Sequence, residues 1–404
     1  MAKADGSLLY YNPHNPPRRY YFYMAIFAVS VICVLYGPSQ QLSSPKIDYD
    51  PLTLRSLDLK TLEAPSQLSP GTVEDNLRRQ LEFHFPYRSY EPFPQHIWQT
   101  WKVSPSDSSF PKNFKDLGES WLQRSPNYDH FVIPDDAAWE LIHHEYERVP
   151  EVLEAFHLLP EPILKADFFR YLILFARGGL YADMDTMLLK PIESWLTFNE
   201  TIGGVKNNAG LVIGIEADPD RPDWHDWYAR RIQFCQWAIQ SKRGHPALRE
   251  LIVRVVSTTL RKEKSGYLNM VEGKDRGSDV MDWTGPGIFT DTLFDYMTNV
   301  NTTGHSGQGI GAGSAYYNAL SLEERDALSA RPNGEMLKEK VPGKYAQQVV
   351  LWEQFTNLRS PKLIDDILIL PITSFSPGIG HSGAGDLNHH LAYIRHTFEG
   401  SWKD

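Results

Sequence analysis

Residues 161–185, EPILKADFFRYLILFARGGLYADMD, constrain the fold more than any other part of the chain. Pro162 suits the first turn of a helix and Gly178 the left-handed cap that ends one, so a long apolar helix is expected between them. After Gly178-Gly179, residues 180–189 read as a strand with Asp183 and Asp185 near its middle. The same alternation runs from residue 87 onward. Residues 95–100 (QHIWQT) and 130–133 (HFVI) read as the first two strands, and Pro134-Asp135-Asp136 starts a helix over 137–146. The expected fold class is α/β with a largely parallel central sheet and no internal repeats.

In an extended segment the side chains at i and i+2 point the same way, so Asp183 and Asp185 can address one cation together. Two hard oxygen ligands suit Mg²⁺ or Mn²⁺, which would neutralise a departing nucleoside diphosphate. The pattern alone decides nothing, because the chain also contains Asp48-Tyr49-Asp50 and Asp218-Pro219-Asp220. The first lies in a Pro- and Ser-rich region and the last carries the proline of a turn. Only the middle pair sits among apolar strand residues, where two carboxylates are costly unless their charge is met. A salt-bridged or solvated face is the other reading. One helical turn earlier, Asp167 and Arg170 share a face, either as a structural ion pair or as a grip on sugar hydroxyls and phosphate.

Residues 20–36, YYFYMAIFAVSVICVLY, form an uncharged apolar run near the lower limit of about 17 residues for a helical span. Arg18 and Arg19 precede it, so residues 1–19 are expected in the cytoplasm and the rest in the lumen. A cleaved signal peptide is the alternative, but Val-Leu-Tyr-Gly-Pro is a poor cleavage site. The short span suits the thinner early-secretory membranes, with the Golgi preferred to the endoplasmic reticulum. Residues 37–90, rich in Pro and Ser with one helix-like piece at 73–81, read as a luminal stem, and 91–404 as the catalytic domain. Asn199-Glu200-Thr201 and Asn301-Thr302-Thr303 fit the glycosylation acceptor pattern. Two cysteines, Cys33 and Cys235, cannot make a disulfide framework, so folding rests on the core that 404 residues at 42% hydrophobic content can bury. A net charge of −10 with scattered cations offers no footprint for nucleic acid.

Five ordered blocks carry a resemblance: Pro94-Gln95-His96-Ile97-Trp98-Gln99-Thr100-Trp101-Lys102, Lys165-Ala166-Asp167-Phe168-Phe169-Arg170-Tyr171, Gly178-Gly179-Leu180-Tyr181-Ala182-Asp183-Met184-Asp185, Asp282-Trp283-Thr284-Gly285-Pro286-Gly287 and Phe398-Glu399-Gly400-Ser401-Trp402-Lys403. Over residues 90–404 the chain resembles the fungal initiation-specific α-1,6-mannosyltransferases and their relatives in glycosyltransferase family 32. The resemblance implies a GT-A-type, Rossmann-like nucleotide-sugar-binding domain, a GDP-mannose donor, Mn²⁺, transfer with retention to an N-glycan or mannan acceptor, and a type II Golgi membrane protein. It also implies that Asp183 and Asp185 hold the metal, that Asp167 and Arg170 hold the donor sugar, and that the strand carrying Gln99 holds the guanosine. Just before the C-terminal block, His396 reads either as a surface histidine or, by resemblance to the closing segment of related retaining transferases, as a third metal ligand, with Lys403 a point charge for the diphosphate and Trp402 a cover for the site. An imidazole ligand favours manganese over magnesium.

Trp283 is expected either to stack on the acceptor or to belong to a tight turn, Asp282 to activate the acceptor hydroxyl unless the leaving phosphate takes that proton, and Asn208 to touch the sugar or simply to turn the chain. Within the class the rivals are another cell-wall mannan enzyme and a glycosphingolipid mannosyltransferase. Outside it the rival is a noncatalytic scaffold of a Golgi mannosyltransferase complex, against which the intact acidic pair argues.

Overall fold

The computed structural model describes residues 72–268, 276–303 and 350–399, without the side chains of 276–279 and 299–303. The tail, the apolar run at 20–36, the stem up to residue 71, Trp402 and Lys403 lie outside the described residues. Among the described residues, no helix is long and apolar enough to cross a membrane.

The first half contains α1 (Val73–His84), β1 (His96–Trp101), α2 (Lys112–Arg124), β2 (Asp129–Pro134), α3 (Asp135–Tyr146), α4 (Pro150–Leu158), α5 (Pro162–Arg177), β3 (Gly179–Ala182) and β4 (Thr186–Leu188). There follow β5 (Thr201–Ile202), β6 (Val205–Lys206), β7 (Leu211–Ala217), β8 (Gln233–Ser241), α6 (Pro246–Lys264), α7 (Arg276–Trp283), α8 (Pro286–Thr303), β9 (Lys362–Ile364), β10 (Ile367–Leu370), α9 (Ile372–Phe375) and β11 (Ile394–His396). Seven strands form one sheet in the order β2-β1-β3-β8-β7-β10-β9. The fold is α/β, but the sheet is mixed rather than largely parallel. β8 runs antiparallel to both β3 and β7, because β7 returns directly into β8 through the loop at 218–232 with no crossover helix.

The expected helix is α5, with Pro162 in its first turn and every residue from Asp167 to Ala176 buried. A helix buried all round must be covered on all sides, and α5 packs inside the main cluster against α6 and, through Tyr171 stacked on Phe289, against α8. Gly178 ends it at φ 68°, ψ −168°, a positive-φ conformation available essentially to glycine, with its N–H on the Leu174 carbonyl. Gly179 follows at φ 104°, and a Cβ there would lie 2.6 Å from the His96 carbonyl, so this glycine is what lets β3 close against β1.

The expected strand over 180–189 is broken in two. β3 stops at Ala182, residues 183–185 turn, and β4 pairs instead with β11 in a separate two-stranded sheet. The acidic pair therefore sits at the carboxyl end of β3 and not within a strand, where its charges would lie inside apolar cover. α1, assigned above to the stem, has Leu77 and Leu81 in the main cluster, and its Arg78 bonds Glu250 of α6 at 2.9 Å.

At the opposite end of the sheet, Asp366 accepts hydrogen bonds from Tyr87 (2.8 Å) and Tyr296 (3.2 Å), with His245 Nε2 3.3 Å away. Burial works against the Asp366 charge, yet these neighbours outweigh it and hold the carboxyl below 3.8. A depressed carboxyl stabilises the fold above its unfolded value, and that stability is lost as pH falls through the folded one. Asp366→Asn is thus expected to lower the thermal midpoint at pH 7, with the gap to the parent protein narrowing below about pH 3.8. For Gly179→Ala, denaturant unfolding should show a loss of about 3 kcal/mol or more, from the positive φ and the backbone clash together.

Candidate active site

Asp183 stands where the chain leaves the sheet. Its N–H still reaches the Trp237 carbonyl of β8 at 2.9 Å, while its own carbonyl accepts from Gln99 Nε2 (3.1 Å) and Thr186 Oγ1 (2.5 Å). Its Oδ1 accepts from Arg170 Nη2 (3.2 Å) and from the Tyr181 hydroxyl (2.9 Å). Two residues on, the Asp185 carbonyl takes both the N–H and the hydroxyl of Thr397, and its Oδ2 takes the Glu399 N–H at 3.1 Å. Pairing of β11 with β4 puts His396 opposite Thr186, so that Nε2 lies 3.3 Å from Asp185 Oδ1 while Nδ1 accepts from the Phe398 N–H. The imidazole is packed between the Trp237 and Phe398 rings.

Asp183, Asp185 and His396 each offer one ligand atom, and these atoms lie within 4.8 Å of one another. Two carboxylate oxygens and one imidazole nitrogen form a donor set that fits a divalent cation. Burial raises the Asp185 carboxyl, with His396 opposing it; burial lowers the His396 imidazole, with Asp185 and Asp183 opposing.

Behind Asp183, Arg170 bridges to Asp167 at 3.0 Å. Asp167 is about 1% exposed and also takes Gln236 Nε2 (3.1 Å) and Thr284 Oγ1 (3.2 Å). Burial pushes its carboxyl up to about 6, against the pull of Arg170. Tyr171 closes the network, donating to Gln236 Oε1 and the Thr284 carbonyl.

Several expected residues stand elsewhere. Asn208 is exposed and precedes β7, whose first residue Leu211 is level with Ser241, whereas Asp183 is level with Trp237. That separation is roughly 13 Å along β8, and it puts Asn208 at the wrong end of the sheet for the sugar. Trp283 is 2% exposed, donates its indole N–H to Thr259 Oγ1 and lies under Lys262, so it has no free face for stacking. Asp282 is paired with Arg230 at 3.1 Å, and must give up that ion pair to take a proton. Gln99 is fully buried between Asp183 and His130, so it shapes the turn that carries the acidic pair. Asn199 is exposed, and the backbone of Asn301 lies in the last turn of α8.

Sequence reasoning missed Tyr181, Gln236 and Thr284. Tyr181 is two residues before Asp183, and strand alternation would have found it. The other two reach Asp167 from β8 and from the turn after α7, which no local pattern announces.

Residues 111–202 match the glycosyltransferase sugar-binding region containing the DXD motif. The initiation-specific α-1,6-mannosyltransferase of Candida albicans is 45% identical over 395 residues, 94% of each chain. The chain belongs to this glycosyltransferase family. The enzyme of the same name from Saccharomyces cerevisiae is 40% identical over 88% of this chain and 87% of its own. Among solved structures, the PaToxG glycosyltransferase has a TM-score of 0.31 and 19% identity, covering 68% of this chain and 91% of that one. In this glycosyltransferase the matched region ends beyond Asp185, so the acidic pair that the fold places at the end of β3 is the family's motif.

Removing the Tyr181 hydroxyl leaves Asp183 Oδ1 with Arg170 alone. Tyr181→Phe is expected to raise the divalent-cation concentration for half-maximal binding about tenfold, by calorimetry, while the protein stays folded.

Proposed function

We propose that this glycosyltransferase moves mannose from GDP-mannose, with retention, onto an N-glycan or mannan acceptor in α-1,6 linkage, with Mn²⁺ held by Asp183, Asp185 and His396. The observation that carries the chemistry is the convergence of those three ligand atoms within 4.8 Å at the carboxyl end of a central strand. The relatives' shared name, at identities of 45% and 40% over most of the chain, supports the sugar and the linkage. The sheet with its ligand set at the strand ends is what a GT-A-type nucleotide-sugar domain requires.

A cation bound there supplies positive charge against the diphosphate as it leaves. The residues of the chain do the rest. Arg170 and Tyr181 hold Asp183 in one orientation, and Thr397 and Glu399 hold Asp185. Such preorganisation contributes because no group has to reorient as charge develops. Asp167 and Arg170 meet the donor sugar as a fixed acceptor and a fixed donor, with the acceptor hydroxyl attacking from the face the diphosphate leaves. The imidazole in the set supports manganese over magnesium. The apolar run at 20–36 after Arg18 and Arg19 supports a single-pass type II protein of the Golgi membrane, its catalytic domain luminal.

The test is manganese-dependent GDP-mannose turnover by the purified protein. Asp183→Ala and Asp185→Ala are each expected to lower it by about a hundredfold or more. Activity equal to the parent in both variants would sink the assignment. Stripping the metal with a chelator and adding back manganese should abolish and then restore activity in the parent alone.

A further inference from the structure

We propose that Glu216 and the loop at 218–232 between β7 and β8 form the subsite for the acceptor, a neutral sugar presenting the hydroxyl to be glycosylated. This rests on the transferase reading above and extends it to a part of the chain outside the matched blocks.

Position comes first. β7 and β3 both run antiparallel to β8, so the chain leaves β7 at the same edge of the sheet where it leaves β3 for Asp183. Glu216, the penultimate residue of β7, is partly exposed there. Gln233 Nε2 donates to its Oε2 at 2.9 Å, and the Gln233 amide oxygen is itself fixed by the Ala229 N–H. The buried Trp237 indole N–H comes beside Glu216 without completing a hydrogen bond. The charges of Asp183 and Arg170 act on Glu216, and Glu216 in turn acts on Tyr228 of the loop. Burial pushes its carboxyl up to about 7, so at neutral pH it exists in forms that both accept and donate to hydroxyls.

The loop is built, not loose. Asp218, about 1% exposed, takes Arg231 (2.7 Å), Thr356 Oγ1 (3.0 Å) and the Asn357 N–H (2.6 Å). Arg230 is clamped by Asp291 and Asp282. Between these anchors the loop presents Trp227, 64% exposed, with the Arg221 guanidinium 5.2 Å from its ring centre. An indole face flanked by donors and acceptors matches a sugar ring, which has an apolar C–H face and a polar rim.

Charge separates acceptor from donor. The loop carries Asp218, Asp220, Asp223 and Asp226 against Arg221, Arg230 and Arg231, and each of these arginines is already ion-paired with a carboxylate, which disfavours a diphosphate and leaves a neutral sugar unopposed.

The experiment measures steady-state transfer by the full-length protein with manganese, GDP-mannose and a high-mannose N-glycan, for the parent, Glu216→Gln and Trp227→Ala. Both variants are expected to raise the acceptor KM about tenfold or more, with the calorimetric Kd for GDP-mannose within twofold of the parent. An unchanged acceptor KM in both, or a matching rise in the GDP-mannose Kd, overturns the subsite. Trp227 is exposed and Glu→Gln is isosteric, so melting temperatures should match the parent and exclude misfolding as the cause. A parent protein that does not bind GDP-mannose at all overturns instead the reading on which the subsite rests.

Discussion

The guanidinium of Arg170, buried between Asp167 and Asp183, is the interaction on which the rest of the site depends. Burial disfavours its charge, and the adjoining carboxylates more than offset that cost. Removing Arg170 would leave two neighbouring carboxylates without their shared counter-charge inside the domain. Asp167, Asp183 and Asp185 together outnumber this one guanidinium by two charges, which is the charge of a single divalent cation. A divalent cation held by the ligand set would balance that surplus. This also explains why Asp167 can remain in place at 1% exposure: Gln236 and Thr284 satisfy it whether or not the outer pair is engaged.

That arrangement requires β3 to end where it does. Gly178 and Gly179 drop the chain from α5 straight into the sheet, and four residues later the chain has reached the opposite edge. A longer strand would have carried Asp185 into the ladder. Instead the chain turns, and β4 recruits β11 from far along the sequence to bring His396 alongside. The antiparallel β8 has its own consequence: Trp237 and Gln236 lie side by side along it and face opposite layers, one against His396 and the other on Asp167.

Much of this was legible in the chain. Helix α5, its proline start and glycine stop, strands β1 and β2, and the choice of Asp183-Met184-Asp185 over its two look-alikes all followed from local periodicity and turn chemistry. Asp218, in one of those look-alikes, is a buried hub that pins loops. What local pattern could not supply was the break after Ala182, because strand termination there depends on where β11 arrives. Nor could it show that Trp283 points into the core rather than outward, since a Trp-Thr-Gly-Pro-Gly run reads identically in a buried or an exposed turn. Asn208 misled for a related reason: its turn is real, but only the strand register reveals which end of the sheet it occupies.

The origin of the ligands bears on how the site forms. Asp183 is held by Arg170, Tyr181, Gln99 and Trp237, all within 84 residues of it, whereas His396 and the Thr397 and Glu399 contacts come from more than two hundred residues later. Such long-range pairing costs chain entropy that is recovered only when the sheet is complete. The third ligand rests on a short strand pair, three residues of β11 on β4. A local opening of that pair would release His396 and the Asp185 supports while leaving Arg170, Asp167 and Asp183 in place. The acidic half of the site is in this sense a property of the core, and the closed ligand set a property of the whole chain.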